Sequence, residues 1–317
     1  MTDAIARRFR RFAELEAKGH SPLYETLANG VAADSAILEF LADLPDAKQQ
    51  PNLLLAAVRF VCGTPTGWED FRAGFTAARD AIRAEMLVRR TQTNEPARCA
   101  VLLPALARVP GPLALIEVGA SAGLCLLPDR YGYSYDGKAP FGPEPRFPCR
   151  ADALTPIPST HPRIVWRAGI DLNPLDIRND DDRAWLETLV WPDQPERLAR
   201  LRAAAAIARA NPPRVVSGDL LSSLPALAAE APRDATLVVF HTAVLAYVSD
   251  PGARAGFVHM MGDMNAVWIS NEVPRVFPAV TSKLAGPGPA GAFLMAVNGE
   301  PVAWTDPHGA WIEWIAG

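Results

Sequence analysis

The sequence predicts an α/β protein with a mostly parallel sheet, antiparallel C-terminal strands and an all-helical N-terminal segment. Three observations carry this. Up to about residue 90, apolar residues recur at three- and four-residue steps and no strand pattern appears. From Leu113 onward, short β-branched runs alternate with helix-like segments, as in a parallel sheet covered by helices. Near the C-terminus, Asn298-Gly299 stands between two apolar runs and is the preferred two-residue hairpin turn.

The elements follow in order. Ile5, Phe9, Phe12 and Leu15 form one helical face, with Arg7, Arg8, Arg10 and Arg11 on the other, read as a solvated face rather than a membrane-surface one. Ser21-Pro22, Asp34 and Pro51 mark helix starts, as cap residues or as Pro at the first helical position. Trp68–Arg90 predicts one long helix, with Phe71, Phe75, Ala78, Ile82 and Met86 inward. A helix at about 96–108 precedes the breaker Pro110-Gly111-Pro112. Buried strands are expected at Leu113–Val118, Ile164–Arg167, Val215–Ser217, Thr236–Phe240 and Val267–Ser270. Helices are expected from near Pro195 to Asn211 and from Asp250-Pro251. The hairpin spans Ala292–Val297 and Pro301–Trp304, and the turn Asp306–Gly309 leads to a last strand at Ala310–Ile315. Between Gly123 and Ile164, alternating Tyr131, Tyr133 and Tyr135 followed by Pro and Gly predict a small β-excursion and a loop. The arrangement is a helical segment at 1–90 and a Rossmann-like domain at 91–317.

Composition narrows the function classes. The chain has 317 residues, net charge −4, 49 % hydrophobic and 21 % charged residues, which fits one large domain or one with a smaller companion and excludes global disorder. No apolar run approaches the ~18–20 residues of a membrane span, and no apolar leader follows the N-terminus. Cys62, Cys99, Cys125 and Cys149 form no CxxC pair, so neither a disulfide framework nor a zinc or other metal site is expected, and a cytoplasmic location is. Basic residues are nearly all Arg, with Lys only at Lys18, Lys48, Lys138 and Lys283; matched by 35 acidic residues, they draw no nucleic acid.

The chemistry concentrates at Glu117-Val118-Gly119-Ala120-Ser121-Ala122-Gly123, a turn after a strand. Gly119 and Gly123 permit close backbone approach to a ligand, and Glu117 sets a carboxylate at the edge where open α/β folds bind ligands. A cationic or polyhydroxylated ligand suits that carboxylate better than a phosphate. The same residues also spell Gly-x-Ser-x-Gly, a nucleophile elbow. That reading makes Ser121 a nucleophile served by Asp306 and His308 or by Asp219 and His241. Topology weighs against it, because only helices precede the turn. Polar residues end four further strands: Asp171, Asp219-Leu220, His241-Thr242 and Asn271-Glu272. Asn94-Glu95-Pro96 reads either as a helix cap or as a lid over the crevice.

This order resembles the class I methyltransferases that use S-adenosylmethionine, over about residues 91–317. The resemblance implies that Glu117, Gly119, Ala120, Ser121 and Gly123 hold the methionine and ribose of the cofactor. It implies that Asp171 binds the ribose hydroxyls, with Asp176 the alternative, and that Asp219 and Leu220 meet the adenine. His241 and Glu272 are the base candidates, and Asn94 and Glu95 the lid or substrate residues. The chain departs from the pattern with Ser121 at a small turn position and with about fifty residues before Asp171 instead of roughly twenty. It lacks the Asn/Asp-Pro-Pro-Tyr/Phe motif of base-methylating relatives, so the expected substrate is a small molecule; a homodimer is permitted. Thr91–Pro96, Asp129-Arg130-Tyr131, Gly169–Asp176, Val190–Gln194 and Phe240–Val248 also resemble a bacterial family of unknown function over nearly the whole chain. The functional expectation is an S-adenosylmethionine-dependent methyltransferase; the alternatives are a serine hydrolase and a non-catalytic cofactor-binding protein.

Overall fold

The computed structural model describes residues 2–248 and 250–315. The chain divides into two compact units: Met1–Thr93 with Asp180–Ala199, and Asn94–Asn179 with Arg200–Gly317.

Helices α1 (Thr2–Phe12), α2 (Pro22–Val31), α3 (Ser35–Ala42), α4 (Pro51–Cys62), α5 (Trp68–Ala77) and α6 (Arg79–Val88) build the first unit. Helix α7 (Arg98–Leu106) belongs to the second unit, and α8 (Asp180–Leu189) returns to the first. The caps form as the residue types dictate. The Ser21 hydroxyl accepts from Tyr24 N, and Asp34 accepts from Ala36 N and Ile37 N. Two expectations change. Leu15 is 63 % exposed, because the first helix passes into a π-helical turn over Ala13–Ala17 that rotates it off the apolar face. The long helix expected at Trp68–Arg90 is two, broken at Ala78. The break lets α5 pack mainly on α4 and α2 and α6 on α4, with Phe71, Phe75, Ile82 and Met86 all buried.

Residues 180–199 are clasped into this unit by polar groups. Arg59 Nη1 donates to the carbonyls of Thr188 (2.9 Å) and Val190 (2.7 Å), and Trp191 Nε1 donates to Asn52 Oδ1 at 3.0 Å. The Ser21 hydroxyl also donates to the Asp193 carboxylate. Arg89 lies over Phe60 and Trp185, 4.4 and 5.0 Å from the ring centroids, and ion-pairs with Glu85 and Asp181.

The second unit holds ten strands: β1 (Leu113–Val118), β2 (Gly132–Tyr135), β3 (Arg146–Ala151), β4 (Ile164–Asp171), β5 (Arg214–Ser217), β6 (Thr236–Thr242), β7 (Val267–Glu272), β8 (Phe293–Val297), β9 (Glu300–Thr305) and β10 (Trp311–Trp314). Their order is β2-β3-β10-β9-β8-β7-β6-β1-β4-β5. Strands β5, β4, β1, β6 and β7 are parallel, while β8 and β9 run antiparallel after them. Asn298 (φ +50°) and Gly299 (φ +77°) make the left-handed turn that joins β8 to β9. The Tyr-rich insert does more than loop out: β3 pairs in parallel with β10, and β2 extends that edge. Tyr131, Tyr133 and Tyr135 are buried, and their hydroxyls donate to the carbonyls of Leu124 (2.9 Å), Pro128 (2.6 Å) and Ala100 (2.6 Å).

Helices α9 (Pro195–Ala210), α10 (Leu220–Ala228), α11 (Pro251–Asp263) and α12 (Pro278–Thr281) complete the chain. One sheet face buries Ile116, Val118, Val239 and Trp268 against Leu224 and Leu227 of α10 and Phe257 and Met261 of α11. Helix α7 is buried along its whole length. No helix among the described residues is long and apolar enough to cross a membrane.

Candidate functional site

Strand β1 lies between β4 and β6, so the strand order runs outward from it in opposite directions, to β4 and β5 on one side and to β6 and β7 on the other. A crevice opens at the carboxyl end of a strand flanked in this way. The register brings Val118, Asp171, Ser217, Thr242 and Glu272 to one edge.

The turn after β1 is tied down from several sides. The N–H groups of Gly119 and Ala120 donate to Ile170 O at 2.8 and 3.1 Å, and Gly123 N donates to Ala120 O at 2.6 Å. Asp171 Oδ2 accepts from Ser121 N at 2.8 Å, and its Oδ1 accepts from Asn173 N at 2.8 Å. Leu175 N donates to Ser121 O at 3.2 Å, so the phrase Gly169–Asp176 wraps the turn. Asn94, buried, accepts Leu124 N at 2.9 Å and caps the short helical turn that follows Gly123. Glu95, also buried, accepts Ala97 N at 3.1 Å, and its carbonyl accepts the Cys125 thiol. Asn94 and Glu95 thus organise the base of the turn.

The turn glycines make room for protein, where the sequence reading assigned that space to a ligand. A Cβ on Gly119 would lie 2.4 Å from Val244 Cγ2, and one on Gly123 would lie 2.6 Å from Pro213 Cγ. Both have φ +75°, which L side chains rarely adopt. Ser121 holds φ +52° in the same turn.

Glu117 is 2 % exposed, and its Oε2 is buried with no hydrogen-bond partner. Burial pushes its carboxyl well above the ordinary range; Cys125 and Asp171 add to the effect and Arg98 opposes it. Arg98 is itself buried. Its Nε donates to Pro307 O at 2.8 Å, and its Nη1 donates to Thr242 O and Oγ1 at 3.3 Å. Asn271 Oδ1 accepts from Thr305 Oγ1 at 2.8 Å, while its Nδ2 is buried without a partner.

His241 and Glu272 form a sealed pair on the other face. His241 is 0 % exposed and rings with Phe257, Trp268 and Phe277 surround it. Nδ1 lies 2.7 Å from Glu272 Oε1, and Trp268 Nε1 donates to Nε2 at 3.0 Å. An indole N–H can only donate, so Nε2 is the acceptor and Nδ1 carries the proton. Both nitrogens are therefore occupied, and the base role expected of His241 has no free ring nitrogen. Glu272 Oε1 also accepts from Val244 N (2.8 Å) and Leu245 N (3.0 Å), fixing the loop after β6.

Asp219 lies apart from this cluster, exposed after β5. Its Oδ1 caps α10 through Leu221 N (2.8 Å) and Ser222 N (3.4 Å), and half-buried Leu220 borders the core. Asp176 pairs with Arg178 on the surface.

A family profile described as "Uncharacterized protein conserved in bacteria (DUF2332)" matches residues 6–64 and 62–314. The chain belongs to that family. No curated protein and no solved structure matches the chain. The family's phrases have clear structural roles. Asn94-Glu95 and Gly169–Asp176 build the glycine turn, and Val190–Gln194 clasps the helical unit. Sequence reasoning placed Thr242 and Asn271 at the polar strand ends but passed over Arg98 and Trp268 as site-forming side chains. A lone Arg at the start of the apolar run Cys99–Leu106 was the available signal for Arg98.

Proposed function

We propose that this protein is an S-adenosylmethionine-dependent methyltransferase acting on a small molecule. The observation that carries the reading is electrostatic. At the crevice beside β1, the N–H groups of Gly119, Ala120, Ser121 and Gly123 all donate within the protein, and the carboxyl groups of Glu117 and Asp171 stand next to them. None of these N–H groups is left to offer a phosphate, and the edge suits a ligand with hydroxyls and a positive charge. Burial favours the neutral Glu117 carboxyl, which gives up its proton against that incoming charge. The orphaned Glu117 Oε2 supports a fit at the charged end of that ligand. The glycines do not add to the fit, since Val244 and Pro213 already fill the space beside them.

When bound, the cofactor supplies an electrophilic methyl group on a sulfonium. In this reading Glu117 receives the ammonium, Asp171 the ribose and Asp219 Oδ2 the adenine amine. Leu220 and Val244 keep water from the nucleoside. His241 acts as a positioning residue through Glu272, which holds Val244 and Leu245. Methyl transfer is an in-line displacement, so positioning and desolvation are the main demands on the chain.

Calorimetric titration with S-adenosylmethionine and S-adenosylhomocysteine tests the reading. Saturable heat with one site per chain is expected. Absence of heat and of thermal stabilisation at millimolar concentration sinks it.

A second reading keeps one favouring observation, the positive φ of Ser121 within Gly-x-Ser-x-Gly, which a nucleophile elbow also shows. Its weakness is the base: Trp268 occupies the His241 nitrogen that a triad needs, and of the other pair the Asp306 Oδ1 caps the turn after β9 through His308 N and Ala310 N, with His308 exposed.

A further inference from the structure

Along the edge of β1, β6 and β7 the register sets Glu117, Thr242 and Asn271 on one sheet face. Glu117 pairs with Phe240, and Thr242, two residues on, pairs with Asn271. Arg98 reaches into this stripe from α7 and bonds Thr242, while Thr305 bonds Asn271. The stripe thus holds a buried carboxyl oxygen and a buried amide N–H2 with no partners, together with the buried Arg98, whose bonds to Pro307 and Thr242 run through Nε and Nη1. Arg98 is near enough to favour the charge of Glu117, yet Oε2 has no hydrogen bond to it. Buried polar groups are rarely left unpaired unless water or a ligand completes them. Here the missing partners have opposite character. Glu117 Oε2, once the carboxyl is ionised by an incoming cation, takes a donor; Asn271 Nδ2 and Arg98 take an acceptor.

We propose that this notch binds the ammonium and carboxylate of an α-amino acid, with Glu117 taking the ammonium and Arg98 and Asn271 the carboxylate. The amino acid is either free or the terminal group of a larger ligand. In the second case the inference rests on the cofactor reading above and extends it to Arg98 and Asn271. A water molecule can donate to one orphan and accept from the other but brings no charge; a zwitterion presents an ammonium to Glu117 and a carboxylate to Arg98 and Asn271.

The test uses the full chain, calorimetry and three probes: S-adenosylhomocysteine, 5′-methylthioadenosine, which lacks the amino-acid end, and L-methionine. Glu117→Gln and Asn271→Asp are near-isosteric, and circular dichroism checks that they fold. Either variant is expected to bind S-adenosylhomocysteine about tenfold or more weakly, with methylthioadenosine binding unchanged. Arg98→Lys, which keeps charge but loses the planar fork, gives a smaller loss. If both near-isosteric variants bind S-adenosylhomocysteine like wild type, the notch is a water site; its assignment is overturned and the cofactor reading stands. If neither nucleoside binds but L-methionine does, and the variants lose it, the notch is a free amino-acid site and the cofactor reading falls. If no probe binds wild type, both are overturned.

Discussion

Trp268 donates its indole N–H to Nε2 of His241 at 3.0 Å, on the side of the ring opposite Glu272. The His–carboxylate pair therefore resembles two-thirds of a catalytic triad while facing an indole where a triad would face a hydroxyl. The geometry makes His241 a latch: it orients Glu272, whose Oε1 collects the N–H groups of Val244 and Leu245.

Ser121 should accordingly be inert as a nucleophile. Fluorophosphonate probes are expected to leave the protein unlabelled, and Ser121→Ala is expected to cost about 1 kcal/mol or less in cofactor affinity. Stoichiometric labelling lost in Ser121→Ala would establish the hydrolase reading instead.

The Val244 side chain fills the space that a Cβ on Gly119 would take. Gly119→Ala is expected to destabilise the fold by about 2 kcal/mol or more, from overpacking together with a left-handed backbone. Adding Val244→Ala should recover the packing part and leave the backbone part. Urea midpoints of the two variants measure the split; no recovery in the double variant would mean that Val244 is not the obstacle.

Asp219 has two separable roles. Asp219→Ala removes the α10 cap and is expected to cost about 0.5–2 kcal/mol of stability, whereas Asp219→Asn retains a capping oxygen. Both should weaken S-adenosylhomocysteine if the carboxylate meets the adenine amine. A variant pair that changes stability alone would leave Asp219 with the cap as its only task.

Glu117 gives a pH dependence with a defined sign. Its carboxyl is held well above the ordinary range in the folded protein, chiefly by burial, with Cys125 and Asp171 raising it further and Arg98 opposing. The folded state then binds more protons than the unfolded one. The contribution is fully present below the unfolded carboxylate range and is lost as pH rises through the folded value. Compared with Glu117→Gln, wild type should lose stability between about pH 5 and pH 8.5. Parallel denaturation curves with the same difference at both pH values would contradict this.

Asn94→Ala should leave Leu124 N and the turn unsupported, for a loss of about 1–3 kcal/mol because the lost acceptor served a buried donor. Hydrogen exchange at Leu124 and Cys125, in the short helical turn after Gly123, should accelerate while that of β1 stays as in wild type.

What the sequence determined by itself is local. The caps at Ser21 and Asp34, the Asn298-Gly299 turn and the five parallel strands follow from residue type and period, because short-range sterics and burial decide them. It also signalled the glycine turn and the polar strand ends. Tertiary structure decided everything that depends on partners distant in the chain. It assigned Asp180–Ala199 to the helical unit through Arg59, Asn52 and Ser21, and carried the Tyr-rich strands to β10. It closed His241 with Trp268, set Val244 against Gly119, and brought Arg98 to the strand edge that carries Glu117, Thr242 and Asn271. The reason is physical: a side chain's type and period state which face it occupies. Whether a buried polar atom meets a partner depends on another segment's position, which local preference does not encode.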